Sequence, residues 1–176
     1  MSKIPSLHAL LIDELKDLFH AENQLLQALP KMVKAATDPD LKAGFATHLE
    51  ETRGHVARLT EALQILGLPP KGKPCHAMLG LLEEGAEAIG LDGPKTVRDA
   101  ALIGAAQRVE HYEMAGYGTA WAFAEVLEEK QIVKLLGETI KEEAAANNKL
   151  TKISATVNAA AHAASAQTEE AALAHK

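Results

Sequence analysis

The chain has 176 residues, 47% of them apolar and 3% aromatic, with a formal net charge of -6. That length suits one domain with a substantial core. Its Ala, Leu, Glu and Lys content favours helices over a sandwich or barrel, and an acidic balance with no Lys/Arg-rich block argues against a nucleic-acid partner. A single cysteine, Cys75, excludes an intramolecular disulfide, and neither a signal-peptide pattern nor a bilayer-spanning apolar run is present, so a cytoplasmic protein away from membranes is expected.

The first helical pattern, helix A, covers 6–36, with Leu11, Leu15, Leu18, Leu25, Leu29 and Met32 at alternating spacings of three and four. Pro30 lies inside it and predicts a kink or a late irregularity. In "TDPD", Asp38 is an N-cap and Pro39 the first residue of helix B, 39–66, which Gly67 closes. The apolar residues of helix B are read as Phe45, Leu49, Val56, Leu59, Leu63 and Leu66. The A/B connection is so short that the two helices must be antiparallel neighbours.

"LPPKGKP" breaks the chain, a short helix follows at 75–89, and "LDGPKT" breaks it again. Helix C is placed at 96–128 and helix D at 130–158. The boundary between them has neither Gly nor Pro and is set by the improbability of a single unbroken helix. Residues 161–176 form an Ala-rich tail, read as frayed or disordered. The predicted fold is therefore all-α: one domain over 1–160, a ferritin-like antiparallel four-helix bundle whose one long crossover carries a short helix.

Acids interrupt the apolar stripes. Glu22 fills a core register on helix A, Glu113 does so on helix C with Glu110 beside that stripe, and Glu143 does so on helix D. On helix B, Glu51 and His55 share a face one turn apart. Glu22 lies about 15 residues before the A/B turn and Glu51 about 14 after it, so both sit roughly 20 Å from that end; Glu113 and Glu143 are likewise matched about the C/D turn. Buried carboxylates need neutralising charge. With no Lys or Arg in the inward registers, two divalent or trivalent metal ions are the simplest source. An oxygen-rich set with little imidazole suits iron, with manganese as the alternative, better than structural zinc.

The segments "LFHAENQLLQALPKM", "HLEETRGHVARL", "AALIGAAQRVEHYEMAGYGT" and "GETIKEEAAANNKLT" resemble the YciE/YciF family of bacterial stress-associated ferritin-like proteins, over roughly residues 6 to 155. The resemblance implies a four-helix ferritin-like fold, a homodimer and a rubrerythrin-like di-metal site, and leaves the reaction unassigned. By matching position, the implied ligands are Glu22, Glu51, His55, Glu110, Glu113 and Glu143. Two departures from the wider ferritin-like pattern predict a lopsided site or one weakly bound metal: helix B reads Glu-x-x-x-His in place of Glu-x-x-His, and helix D carries Asn147 where a histidine is often found.

Asn147, Tyr117 and His111 are candidates for supporting the ligands without binding metal, His111 being alternatively exposed. His20 and His48 are read as exposed, and Cys75 as a packing residue. No catalytic residue is assigned. The leading functional expectation is a di-metal oxidoreductase acting on peroxide or dioxygen, of peroxidase or ferroxidase type. Manganese catalase-like disproportionation of peroxide is one alternative. A non-enzymatic stress or structural protein with a structural or vestigial metal site, acting through self-assembly or a protein partner, is the other.

Overall fold

The computed structural model describes residues 4–174 and side chains as far as residue 166. Its elements are α1 (Leu7–Ala35), α2 (Pro39–Ile65), α3 (His76–Gly90), α4 (Lys95–Val126) and α5 (Lys130–Ala174). α1 packs on α2 and α4 on α5, the two hairpins meet through α2 on α5 and α1 on α4, and α3 lies across α4 and α1. This is the all-α bundle with a helical crossover expected from the sequence. No described helix is long and apolar enough to cross a membrane.

The helix ends follow local chemistry. Ser6 accepts a hydrogen bond from Ala9 N–H, and Asp38 accepts one from Leu41 N–H, so each occupies an N-cap that offsets the unpaired first-turn donors. α1 runs through Pro30 without ending there. α2 closes with Gly67 at φ 72 and a Leu68 N–H to Leu63 carbonyl bond, a Schellman arrangement. The α4/α5 reversal repeats that geometry, with Glu128 at φ 60 and Glu129 N–H bonded to the Ala124 carbonyl. α5 does not stop at 158: it continues as helix to Ala174, and residues 175 and 176 of the expected tail lie outside the described residues.

A buried carboxylate locks the α1/α2 turn to α4. Asp99, 1% exposed, accepts hydrogen bonds from Thr37 N–H (3.0 Å), Thr37 Oγ1–H (2.6 Å) and Asp38 N–H (2.8 Å). Asp99→Ala leaves these donors unpaired, so a loss of roughly 2–4 kcal/mol is expected in urea unfolding. A loss within experimental error of zero would show that water replaces the carboxylate at no cost.

The crossover is anchored at Gly72, where a Cβ would lie 2.9 Å from His20 Cβ and 3.0 Å from the Lys16 carbonyl oxygen. Lys73 N–H then donates to that same carbonyl, and its ammonium pairs with Asp13. Cys75 caps α3 and touches Tyr112, whose hydroxyl donates to Asp17. Cys75 N–H donates to His20 Nδ1 at 3.1 Å, so His20 is half-buried against the crossover and not free in solvent as expected.

The core is divided in two. One apolar cluster includes Leu25, Leu29, Phe45, Leu102, Val109 and Leu150; the other includes Leu11, Leu15, Leu59, Leu63, Ala120 and Leu136. Between them the same inward stripes carry polar side chains.

Candidate metal centre

Glu22 follows Leu11, Leu15 and Leu18 and precedes Leu25, Leu29 and Met32, in the three-four spacing that places all of them on the buried face of α1. On α2 the buried line runs Leu41, Phe45, His48, Thr52, His55 and Leu59. It carries three consecutive polar residues at the level of Glu22. α4 contributes Glu110 and Glu113, and α5 contributes Thr139 and Glu143, all of them buried.

These side chains converge into two groups whose ligand atoms lie within 4.8 Å of one another: Glu22, His55 and Glu143 in one, and His48, Glu110, Glu113 and Glu143 in the other. Glu143 belongs to both. His55 Nδ1 lies 2.9 Å from Glu143 Oε1 and 3.2 Å from Glu22 Oε1, close but without hydrogen-bond alignment. His48 Nε2 is 3.5 Å from Glu110 Oε1 and 3.8 Å from Glu143 Oε2.

The sequence-derived ligands thus separate. Glu22, His55, Glu110, Glu113 and Glu143 are brought together. Glu51 stands outside both groups, its side chain 35% exposed, with Oε2 3.4 Å from His48 Nδ1. His48, expected to be exposed, is only 5% exposed and faces the acids. The physical reason is register: His48, Thr52 and His55 continue the line of Leu41 and Phe45, whereas Glu51 sits beside it. Tyr117 is fully buried and its hydroxyl donates to Glu22 Oε1 at 2.5 Å. His111 is exposed and bonds the Gln107 carbonyl of its own helix. Asn147 is half-buried and its carboxamide oxygen accepts from Gln107 Nε2 at 3.1 Å.

Two residues that sequence reasoning passed over support His55, Glu142 of α5 and Arg58 of α2. Glu142 Oε2 lies 3.0 Å from His55 Nε2 and also pairs with the Arg58 guanidinium, whose Nε–H donates to buried Thr139 at 2.8 Å. Glu142 fixes which ring nitrogen of His55 faces the acids, the role that a carboxylate plays behind a metal-bound imidazole.

Charge in the layer is strongly perturbed. Burial pushes the Glu113 carboxyl well above its ordinary range, and neighbouring Glu143, Glu22 and Glu110 push it further. Burial likewise raises Glu110, against the opposing His48 charge, to about 8, and raises Glu22 against contacts from His55. Burial opposes charge on the imidazoles, but the carboxylates outweigh it: Glu51, Glu110 and Glu143 bring His48 up to about 9, and Glu143 and Glu22 bring His55 up to about 10.

Protons therefore neutralise part of the cluster in the protein alone, yet hydrogen bonding does not complete it. Glu22 Oε2, His48 Nε2, His55 Nδ1, Glu110 Oε2 and both oxygens of Glu113 and Glu143 are buried with no hydrogen-bond partner. Such atoms cost on the order of 1–3 kcal/mol each when left so. Four carboxylates and two imidazoles whose inward atoms lack hydrogen-bond partners, and which can give up their protons to a cation, fit a pair of hard or borderline metal ions; structural zinc would call for thiolates or more histidine.

Two cavities reach this layer. One of about 300 Å³ opens between α1, α3 and α4 and ends on His48 and Glu110; the other, of about 110 Å³, reaches the same two residues from the α2/α5 side, past Glu51 and Lys149.

Comparison with known proteins agrees with the fold and with the quoted sequence blocks. The chain is 45% identical over 140 residues to protein YciF of Escherichia coli K12, covering 79% of this chain and 84% of that protein. The crystal structure of the E. coli stress protein YciF superposes with a TM-score of 0.84 at 42% identity, over 87% of this chain and 97% of that one. YcfI of Rhodopseudomonas palustris, described as a candidate structural protein, superposes with a TM-score of 0.82 at 45% identity, over 85% and 95% of the two chains. A Xanthomonas campestris protein at 18% identity, with a TM-score of 0.70 over 88% and 94% of the chains, shares the fold alone. Over residues 6–164 the sequence matches the family model DUF892, a domain of unknown function, and the chain belongs to that YciF-containing family.

Proposed function

We propose that this chain is a bacterial stress protein that holds two redox-active metal ions, iron or manganese, in its polar layer and consumes peroxide or dioxygen there. The observation that carries the reading is the set of partnerless ligand atoms, drawn from all four long helices and enclosed between two apolar clusters. Glu22 and His55 would hold one ion and His48, Glu110 and Glu113 the other, with Glu143 available to both. When bound, the ions would supply electron transfer and Lewis acidity.

The protein's own part follows from its contacts. Tyr117 orients Glu22 by donating to one oxygen and leaving the other free. Glu142 and Arg58 orient His55. The apolar clusters on either side limit water, which strengthens every charge interaction in the layer. Protons held by Glu110 and Glu113 in the protein alone leave as the ligand sites fill, so metal uptake at neutral pH is expected to release protons.

Anaerobic titration with iron(II) or manganese(II), elemental analysis and a peroxide-consumption assay test the reading together. Two ions per chain are expected, along with peroxide loss that requires an external electron donor and is reduced at least tenfold in Glu110→Ala. Dioxygen release with no donor would instead favour the manganese catalase-like reaction. A second reading rests on the description of the R. palustris relative: a bundle in which metal only ties the helices together, stabilised by metal and inert to peroxide. A protein that takes up neither metal removes all three.

A further inference from the structure

The larger cavity shares only His48 and Glu110 with the polar layer, and most of the rest of its wall is apolar. Leu25, Leu29 and Met32 of α1, Leu82 and Ile89 of α3 and Val109 of α4 line it, and small residues keep it open. Gly85 is the clearest of these. It lies on the buried face in the middle of α3, yet a Cβ built there would meet nothing within 4 Å. A larger residue would fill the space and would also favour the helix by about 1 kcal/mol. The void is therefore a property of the wall, since nothing in the backbone demands glycine at that position.

The two ends of the cavity differ. Exposed Gln27, Lys31 and Glu83 mark the mouth, and buried His48 and Glu110 mark the inner end. A volume of about 300 Å³ is at the lower end of small-molecule sites. Four helices contribute to its walls, so it accepts a narrow molecule and not a macromolecular surface.

We propose that this cavity binds a single-chain apolar compound, an alkyl group with at most one polar end, with the polar end at the mouth and the chain end directed to His48 and Glu110. The smaller cavity, lined by Phe45, Ala145 and Leu150 as well as Thr47, Glu51 and Lys149, reaches the same two residues from the α2/α5 side. That the chain end meets a metal centre rests on the function proposed above; that the cavity takes a chain does not.

The probe is 1-octanol, which carries no charge and so reports the apolar walls alone. Titrated into metal-free protein with labelled methyl groups, it is expected to shift Leu29, Met32, Leu82 and Ile89 saturably. Gly85→Leu is expected to weaken binding at least tenfold while metal uptake is retained and the thermal midpoint is held or raised. Ala28→Leu, from the opposite wall, is the second variant should the first fold poorly. In manganese(II)-loaded protein the terminal methyl of bound octanol is expected to relax faster than its carbinol protons. Unsaturable shifts spread over the surface, or unchanged affinity in both variants, overturn the site. Saturable binding with the carbinol end relaxed faster overturns the orientation. A protein that binds octanol and takes up no metal leaves the cavity standing and removes the metal reading.

Discussion

Glu143→Gln is expected to empty both ligand groups at once. Glu143 is the one side chain common to the two, fully buried on α5, with neither carboxylate oxygen hydrogen-bonded in the protein alone. Glutamine keeps the shape, so the bundle should fold, but it replaces one anionic oxygen by an amide nitrogen that cannot ligate a cation. Loss of a supporting residue behind a metal ligand typically costs 10–100-fold in affinity, and a ligand offered to two ions should cost more than ~100-fold. Titration and elemental analysis would read this as near-complete loss of bound metal. A variant that still carries two ions per chain would show that the layer does not bind metal in the way its geometry suggests.

The opposite sign is expected for stability when Glu113 is made apolar. Both Glu113 oxygens are buried without a partner, and burial followed by three neighbouring acids keeps the carboxyl protonated far above its usual range. Replacing such a group with an apolar side chain of similar length removes a desolvation cost, so Glu113→Met should stabilise the metal-free protein by roughly 1–3 kcal/mol, or several degrees in thermal midpoint for a chain of this size. The gain should depend on pH. A carboxyl whose folded pKa is raised binds more protons folded than unfolded once pH exceeds the unfolded value of 4.5, so wild-type stability falls as pH rises towards the raised value. Glu110, raised from 4.5 to about 8, acts with the same sign between those values, and His48 and His55, raised from 6.5 to about 9 and about 10, do so above pH 6.5. The advantage of Glu113→Met over wild type should therefore widen from pH 5 upward in metal-free protein. It should narrow or reverse in metal-loaded protein, where the carboxylate has a partner. Equal destabilisation at every pH would mean that Glu113 packs the core and does nothing else.

The acids of α1, α4 and α5 were legible because each replaces an apolar residue in a stripe that continues on both sides. Glu22 between Leu18 and Leu25 is the plainest instance. Matching their distances from the hairpin turns was enough to bring them to one level. α2 was harder. Its inward face passes through His48, Thr52 and His55 in succession, so apolar periodicity vanishes where the site lies, and Leu49 and Val56, both half-buried, mark a neighbouring line. Reading that line places Glu51 inside and His48 outside; the structure has the reverse. The α4/α5 turn was faint for a different reason. Glu128 takes the left-handed conformation that glycine usually supplies, and the helix-favouring residues around it leave no compositional mark. Glu142 and Arg58 could be recognised only once His55 had a direction.

The division of ligands between the two hairpins has a thermodynamic meaning of its own. The α1/α2 hairpin brings Glu22, His48 and His55, and the α4/α5 hairpin brings Glu110, Glu113 and Glu143, so neither ligand group is complete within one hairpin. With metal bound as proposed, docking of the hairpins and filling of the layer would be a single linked equilibrium. Whatever loosens α2 from α5 or α1 from α4 should appear first as weakened metal affinity, before any loss of helix, which makes the centre a gauge of how tightly the two halves of the chain are closed.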